Sequence, residues 1–321
     1  MLHSRNMTHY YSLQHSVFST SSARTQGEEH KLTMPPTTAA PATAVSSVIL
    51  LPIVGASGGL GASTCALQLA RLCAHEGLRT CVIDVDFSGG GLDVLAGCEE
   101  QEGLRWHNIQ APLGSIDAEG FLNELIQWDG IPLLPYSPWE NRDTQWWEIK
   151  AVFEATSVHS DIIICDCGRT VPNKVIAAWK STRAQLTIIP VILMQCTTLG
   201  IARCSVLLEC MRHNMHPHFS DCESALLFES ACSINKLVSK TRKRNSHMSV
   251  AQVEDFLHAR IYGSLPSDPR ITRSDAQGWP LPQAKPEYER VLQAFIREYC
   301  LTNSPDKSGT THRNTRGRRV A

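Results

Sequence analysis

The segment from Val48 to Thr64, VILLPIVGASGGLGAST, decides the fold. Its first seven residues predict a buried strand, the four glycines that follow predict a loop, and the residues from Ala62 onward repeat apolar side chains at helical spacing. Glycine permits backbone angles that turn successive N–H groups towards one anion, and the following helix adds the positive end of its dipole. The segment therefore predicts a phosphate-binding loop. The alternative is a tight turn between strand and helix with no ligand.

Outward from this segment, short apolar runs alternate with amphipathic stretches. The alternation predicts an α/β fold, a mainly parallel sheet covered by helices on both faces. No internal repeat or linker interrupts residues 47–302, which we expect to form one domain. We expect strands at 48–54, 80–85, 131–135, 161–165, 185–191, 224–229 and 260–264, and helices at 62–76, 118–128, 144–156, 173–180, 198–211, 249–258 and 286–300.

Composition excludes several classes of protein. The chain has 321 residues, 42% of them hydrophobic and 19% charged, as in ordinary soluble globular proteins. No apolar run reaches the ~20 residues that a membrane span needs, so an integral membrane protein is excluded. The net charge is −1, but the central part is acidic and the carboxyl-terminal tail is basic. An acidic folded part makes nucleic acid an unfavoured partner.

The two ends differ from the centre in composition. Residues 1–46 contain fourteen Ser or Thr, and they are predicted to be disordered, with Met34 as an alternative start of translation. They lack the apolar stretch of a signal peptide. Residues 303–321 carry five basic residues and are predicted to be a flexible basic tail.

The twelve cysteines are interpreted as packing residues rather than as a disulfide framework. Cys165 and Cys167 form a close pair without a second pair, which makes a poor zinc site. Free thiols indicate the reducing cytoplasm. Seven cysteines lie inside apolar helix or strand patterns: Cys65, Cys73, Cys81, Cys165, Cys196, Cys204 and Cys210.

The glycine loop resembles the deviant Walker A loop of MinD/ParA-type P-loop ATPases, which reads Gly-Lys-Gly-Gly-x-Gly-Lys-Thr-Thr. Aligned on the glycines, Gly58, Gly59 and Gly61 match, and Ser63 and Thr64 match the hydroxyl pair. The resemblance implies a P-loop NTPase-like three-layer sandwich, and we expect its mostly parallel sheet to have seven or eight strands.

Both lysines of that pattern are absent. Ala56 and Ser57 replace the first Gly-Lys, and Ala62 replaces the second lysine. In P-loop NTPases the lysine reaches the β- and γ-phosphates and neutralises charge as the phosphoryl group leaves. Losing a charged hydrogen bond of ~1.5–3 kcal/mol predicts nucleotide binding that is weaker by roughly 10- to 150-fold. The loss of hydrolysis should be larger, because the lysine acts in the transition state.

Three further segments extend the resemblance. CVIDVDFSGGGLDVLAG, residues 81–97, is similar to the family's second strand and switch region, with Asp84 and Asp86 near the metal and the attacking water. SDIIICD, ending at Asp166, is similar to the Walker B strand, whose terminal aspartate holds the Mg²⁺ shell. YGSLPSDPRITRSDAQGWPL, residues 262–281, is similar to the family's late strand and loop. Taken without the resemblance, these aspartates are equally well interpreted as helix caps or solvent-facing residues.

The resemblance implies a weak ATP site and a Mg²⁺ site. Hydroxyl and carboxylate oxygens are the ligands that hard cations prefer, which favours Ser63, Asp86 and Asp166 for the metal. Asp86 is the catalytic candidate if the chain is active, and Asp93 is interpreted as a helix-start residue. The predicted nucleotide-binding residues are Gly58, Gly59, Leu60, Gly61, Ala62, Ser63 and Thr64.

The sequence GGxGAST together with GGGLDxLxGxEExxGLRW is similar to the septum site-determining, CpaE-like subgroup, in which the lysines are also commonly absent. The amino-terminal receiver-like domain of many members is not expected within residues 1–46. The resemblance implies a cytoplasmic regulator of septum placement or of polar secretion or pilus assembly, acting as an interaction module. Its partners would be cell-division or secretion/pilus proteins, and it could form a homodimer. The alternatives are a weak ATPase switch and, less favoured, a DNA-partitioning protein.

Aromatic and amphipathic stretches are interpreted as packing. Val291, Leu292, Phe295, Ile296 and Tyr299 form one apolar stripe at helical spacing. The flanking polar face lacks the lysines that favour anionic lipid, so we expect packing against the sheet and no strong membrane binding. Irregularly spaced aromatic residues usually pack in or beside the core: Trp106, Trp128, Trp139, Trp146 and Trp147.

Overall fold

The structure is a computed structural model. It describes residues 47–137, 139, 142–215, 226–230 and 249–301. The predicted terminal segments 1–46 and 303–321 lie outside the described residues, as does the start of the predicted strand 224–229. Among the described helices, none has the length and apolarity that a membrane span requires.

The described strands form one sheet, ordered β3-β4-β2-β5-β1-β7-β8-β9. The short strand β6 also pairs with β1, so nine described strands occupy eight positions. Every pair is parallel except the hairpin of β3 and β4. The predicted α/β fold with a mostly parallel sheet is confirmed. The strands are β1 (Val48–Gly55), β2 (Thr80–Asp84), β3 (Ile126–Trp128), β4 (Ile131–Leu134), β5 (Ile162–Asp166), β6 (Leu186–Ile188), β7 (Val191–Met194), β8 (Leu226–Ser230) and β9 (Ile261–Leu265).

Helices cover both faces of the sheet. A 3₁₀ turn (Trp106–Asn108) and a π-helical segment (Ile296–Cys300) complete the described elements. The described helices are α1 (Ala62–His75), α2 (Leu92–Ala96), α3 (Ala118–Glu124), α4 (Trp146–His159), α5 (Asn173–Ser181), α6 (Thr198–Met215), α7 (Val250–Leu257), α8 (Pro269–Ala276) and α9 (Pro286–Phe295).

Strand β1 lies between two apolar cores, one on each face of the sheet. Its side chains alternate between them: Leu50 and Val54 pack with α3 to α7, whereas Leu51 and Ile53 pack with α1, α2 and α9. Burial on both faces explains why the sequence of β1 is continuously apolar. The alternation makes the fold a three-layer sandwich.

The predicted helix 118–128 is wrong in its last turn, because α3 ends at Glu124 and residues 126–128 form β3. Ile126 and Trp128 are buried while Gln127 is exposed, which is the alternation of a strand. Asp129 and Gly130 then take positive φ values of 51° and 76° in the two-residue turn before β4. An Asp-Gly turn of this kind is a hairpin signal.

Three other predictions differ from the structure. The predicted strand 185–191 is broken at Pro190, which has no N–H to donate to the sheet, and pairing resumes in β7. The predicted helix 286–300 changes to π-helical geometry at Ile296. Cys210 is exposed, so its interpretation as a packing residue is wrong, and Cys196 is only partly buried.

The apolar stripe near the carboxyl end packs on the sheet as predicted. Leu292, Phe295 and Ile296 are fully buried in the core that contains α1, and Val291 and Tyr299 pack against it. The stripe is therefore covered within the domain.

Candidate functional site

The glycine loop joins the end of β1 to the start of α1 and has an open shape. Gly59 and Gly61 have φ values of +74° and +84°, a left-handed conformation that favours glycine. A Cβ atom at Gly59 would meet no atom within 4 Å. Gly61 precedes α1 without a side-chain cap, and the first intrahelical bond runs from the Cys65 N–H to the Gly61 carbonyl at 2.8 Å. The first amides of a helix have no intrahelical acceptor, so this end of α1 suits an anion.

Two neighbouring strands hold the loop in place. The Gly55 N–H donates to the Gly168 carbonyl, and the Ala56 N–H donates to the Leu193 carbonyl, both at 2.8 Å. These contacts bring the carboxyl ends of β1, β5 and β7 to one edge of the sheet. Ligands of open parallel sheets bind at that edge.

Asp84 lies at the end of β2, directly opposite Asp166 in the register of β5. Its carboxylate accepts hydrogen bonds from the backbone N–H groups of Asp86 at 3.0 Å and Tyr136 at 3.4 Å. Burial, and then the neighbouring charge of Asp166, raise the pKa of Asp84 well above its ordinary value. Asp84 is buried and bonded to backbone, so it is a structural neighbour of the site.

Asp166 is the buried aspartate at the end of β5. Its carboxylate is hydrogen-bonded to the Ser63 side chain and accepts the Gly168 N–H at 3.1 Å. Burial raises the pKa of Asp166 to about 6, and these hydrogen bonds oppose the rise while the charge of Asp86 adds to it. The two predicted metal ligands Ser63 and Asp166 are therefore in contact.

Asp86 lies beyond the end of β2 and is half-buried. Its carboxylate accepts the backbone N–H groups of Ser88 at 3.2 Å and Gly89 at 3.0 Å. It also fills the space beside Gly168, where a Cβ atom would overlap it. Gly168 has a φ of +59°, so both its conformation and its neighbour require glycine.

The donor set fits Mg²⁺ in part. Mg²⁺ is usually held by one or two carboxylates, with waters and substrate phosphates completing its shell. Ser63, Asp86 and Asp166 offer oxygen atoms on one edge of the sheet. Within the described part of the chain, no three His, Cys, Asp or Glu side chains form a complete metal site. These residues therefore suit a metal that is completed by a phosphate ligand.

The backbone fits a phosphate, but the expected lysines are missing from it. Ser57 and Ala62 carry no charge. A basic residue that the sequence analysis passed over, Arg169, lies against the loop instead: its Cδ is 3.7 Å from the position of a Cβ at Gly58. Its place directly after the Walker B-like strand is the signal that could have identified it.

The aromatic residues divide into two groups. Trp106 and Trp128 are buried as predicted, and the Trp106 Nε1 donates to the Asp84 carbonyl at 2.5 Å, beneath the site. The packing interpretation is wrong for Trp139, which is 83% exposed, and for the half-exposed pair Trp146 and Trp147. No signal in their spacing distinguished the two groups.

Asp93 lies in the first turn of α2, as predicted. It also forms a 3.2 Å ion pair with Arg105, which further bonds the Glu99 carbonyl at 2.7 Å. This pair fixes the segment after the switch region, a role that the sequence analysis did not assign to Arg105.

Comparison with known proteins gives matches in sequence and in fold. No model of a protein family matches the chain. The septum site-determining protein MinD of Buchnera aphidicola (subsp. Baizongia pistaciae) is 24% identical over 239 residues, which cover 72% of this chain and 83% of that protein.

Solved structures of the same kind share the fold. A ParA family ATPase from Chlorobium tepidum superposes with a TM-score of 0.60 at 16% identity, covering 77% of this chain and 98% of the other. The Aquifex aeolicus MinC:MinD cell division complex gives 0.57 at 16% identity, covering 78% and 95%. MinD from Pyrococcus horikoshii, complexed with Mg-ADP, gives 0.51 at 14% identity, covering 80% and 97%. The chain is thus similar in sequence to MinD proteins and has the fold of MinD/ParA-type P-loop ATPases.

Proposed function

We propose that the chain is a cytoplasmic MinD/ParA-like regulator of septum placement, or of a polar secretion or pilus assembly, whose folded domain spans residues 47–302. It acts through protein contacts and not through ATP turnover. One observation carries the proposal: uncharged Ser57 and Ala62 stand where the resembled phosphate loop has its two lysines. The septum-determining name of the Buchnera relative and the MinC:MinD neighbour support a division role and a protein partner.

The site would hold a nucleotide only together with Mg²⁺. Ser63 and Asp166, which are hydrogen-bonded to each other, would hold the metal, and the uncapped amides at the start of α1 would bind phosphate oxygens. Bound Mg²⁺ would neutralise phosphate charge. Without it, the carboxylates of Asp86 and Asp166 set negative charge against a negative ligand, which opposes binding.

Turnover needs more than this site provides. Phosphoryl transfer relies on positive charge that is positioned where negative charge develops in the transition state. The carboxylate of Asp86 accepts two backbone N–H groups and thereby orders the turn around Gly89. We therefore assign Asp86 a structural part in holding this turn.

The second candidate is a weak nucleotide switch of the same family. The observation that favours it is the intact hydrogen bond between Ser63 and Asp166, which keeps the two metal ligands in contact. In that case, other groups would replace the lysines.

Complementation in the organism that encodes the chain distinguishes the two candidates. Deletion of the gene should displace septa or remove the polar assembly, and an Asp86→Ala copy should restore the normal phenotype as well as the wild-type copy does. Asp255→Ala is the matched control, since Asp255 is exposed on α7. Failure of a stably folded Asp86→Ala copy would favour the switch. An unchanged deletion strain would contradict both candidates.

A further inference from the structure

The loop after β5 carries a basic side chain across the glycine loop. Arg169 is exposed, and its Cδ lies 3.7 Å from where a Cβ would stand on Gly58. The absence of a side chain at Gly58 thus leaves room for the methylene stem of Arg169 beside the loop backbone. The guanidinium group begins at Nε, one bond beyond Cδ, so it remains within reach of a group held in the loop.

The approach of Arg169 is fixed by its own backbone. Gly168 takes a φ of +59°, and its carbonyl accepts the Gly55 N–H at 2.8 Å. Its N–H donates to Asp166 at 3.1 Å. The residue before Arg169 is therefore tied at once to the glycine loop and to the candidate metal ligand.

A neighbouring basic residue is already engaged. Lys174 lies with its Nζ 4.3 Å from the centre of the Phe87 ring and 3.3 Å from a carboxylate oxygen of Asp143. Lys174 is therefore paired with Asp143 and with Phe87 of the switch region. Arg169, by contrast, lies against the loop itself.

We propose that Arg169 binds the phosphate groups of a nucleoside di- or triphosphate held by the glycine loop, taking the place of the absent lysines in binding. The inference rests on the proposed assignment of this loop as a phosphate site. A guanidinium group presents paired N–H donors that match phosphate oxygens, and it stays charged at any physiological pH. Arg169 enters from the loop after β5, whereas the second lysine of the family stands at the start of α1. The positive charge of Arg169 would therefore reach the phosphates from a different side than that lysine does.

The inference is tested by isothermal titration calorimetry, in which ADP is added to the full-length chain in the presence of Mg²⁺. Arg169→Ala should weaken binding by about 10- to 100-fold, the loss expected for a charged hydrogen bond to phosphate. Arg169→Lys keeps the charge without the paired donors, so it should lose less. The matched control is Arg183→Ala, an exposed arginine before β6, at the opposite edge of the sheet, which should bind as the wild type does.

Inorganic pyrophosphate with Mg²⁺ is the second probe, and it should show the same order of affinities, because Arg169 contacts phosphate and not the base. Equal affinities of the wild type and a folded Arg169→Ala variant would overturn the inference. An absence of any binding at millimolar ligand would also overturn it. Neither result touches the proposed regulatory role, which fails only if the deletion strain is unchanged.

Discussion

At the scale of single residues, the site is a place where carboxylates are buried without positive partners. Asp84 and Asp166 face each other at the ends of β2 and β5 and are almost completely buried. Backbone amides and the Ser63 hydroxyl satisfy their hydrogen bonds, but no bond of this kind removes the charge. Ionising a buried carboxyl group costs free energy, and a bound cation would offset this cost by stabilising the charged form.

This burial predicts a pH-dependent stability. The pKa of Asp166 rises from 3.8 to about 6, so the folded chain holds this proton more tightly than the unfolded chain does. Folding stability should therefore fall as the pH rises from about 4 to above 6, by about 3 kcal/mol from Asp166. Asp166→Asn should flatten this fall in thermal unfolding without metal.

Asp255→Asn, at an exposed position on α7, is the matched control for the substitution itself. Parallel pH profiles of the wild type and Asp166→Asn would contradict this assignment of Asp166.

At the scale of elements, apolar periodicity predicted the central strands and helices, and the glycines predicted the loop between β1 and α1. The bounds of β1, α1, β2 and β5 follow from apolar runs, and the carboxyl ends of these strands position Asp84 and Asp166. The hairpin of β3 and β4 was missed because apolar residues in 118–128 also fit a helix, although Asp129 and Gly130 marked the turn. Arg169 was missed because its function depends on the distance between two loops, which no local pattern encodes.

The glycine loop makes a prediction of its own. If its backbone binds phosphate, the double variant Ser57→Lys and Ala62→Lys should bind ADP with Mg²⁺ about 10- to 150-fold more tightly than the wild type, because the Ala62→Lys change alone adds one charged hydrogen bond to phosphate. Calorimetry measures the change. Ser181→Lys, at an exposed site at the end of α5, adds a lysine away from the loop and should have no effect.

Helix α9 and the π-helical segment make a further prediction. Since Leu292, Phe295 and Ile296 are buried against the sheet, they are not free to enter a membrane. Liposome sedimentation of the full chain should show at most salt-sensitive binding through the basic tail, which adds ~1 kcal/mol per residue near an anionic surface. A version ending at Asn303 should lose that binding. Salt-resistant binding would contradict the packing.

At the scale of the whole molecule, the chain has the fold of MinD/ParA-type ATPases, and Ser57 and Ala62 stand where the resemblance expects lysines. The resemblance implies that the signature lysine of active relatives crosses to the partner's phosphates, so nucleotide joins their dimer. Ser57 is short and uncharged, which removes that link. Any homodimer of this chain should therefore form equally with and without ATP and Mg²⁺ in analytical ultracentrifugation. A shift from monomer to dimer that ATP drives would contradict this.

The most direct test of the account is steady-state phosphate release from ATP by the purified full chain with Mg²⁺. Because Ser57 and Ala62 cannot neutralise the developing charge, release by the wild type should stay at background and match that of Asp86→Ala and Asp166→Ala. Turnover by the wild type that either substitution abolishes would contradict the account and establish the chain as an active switch.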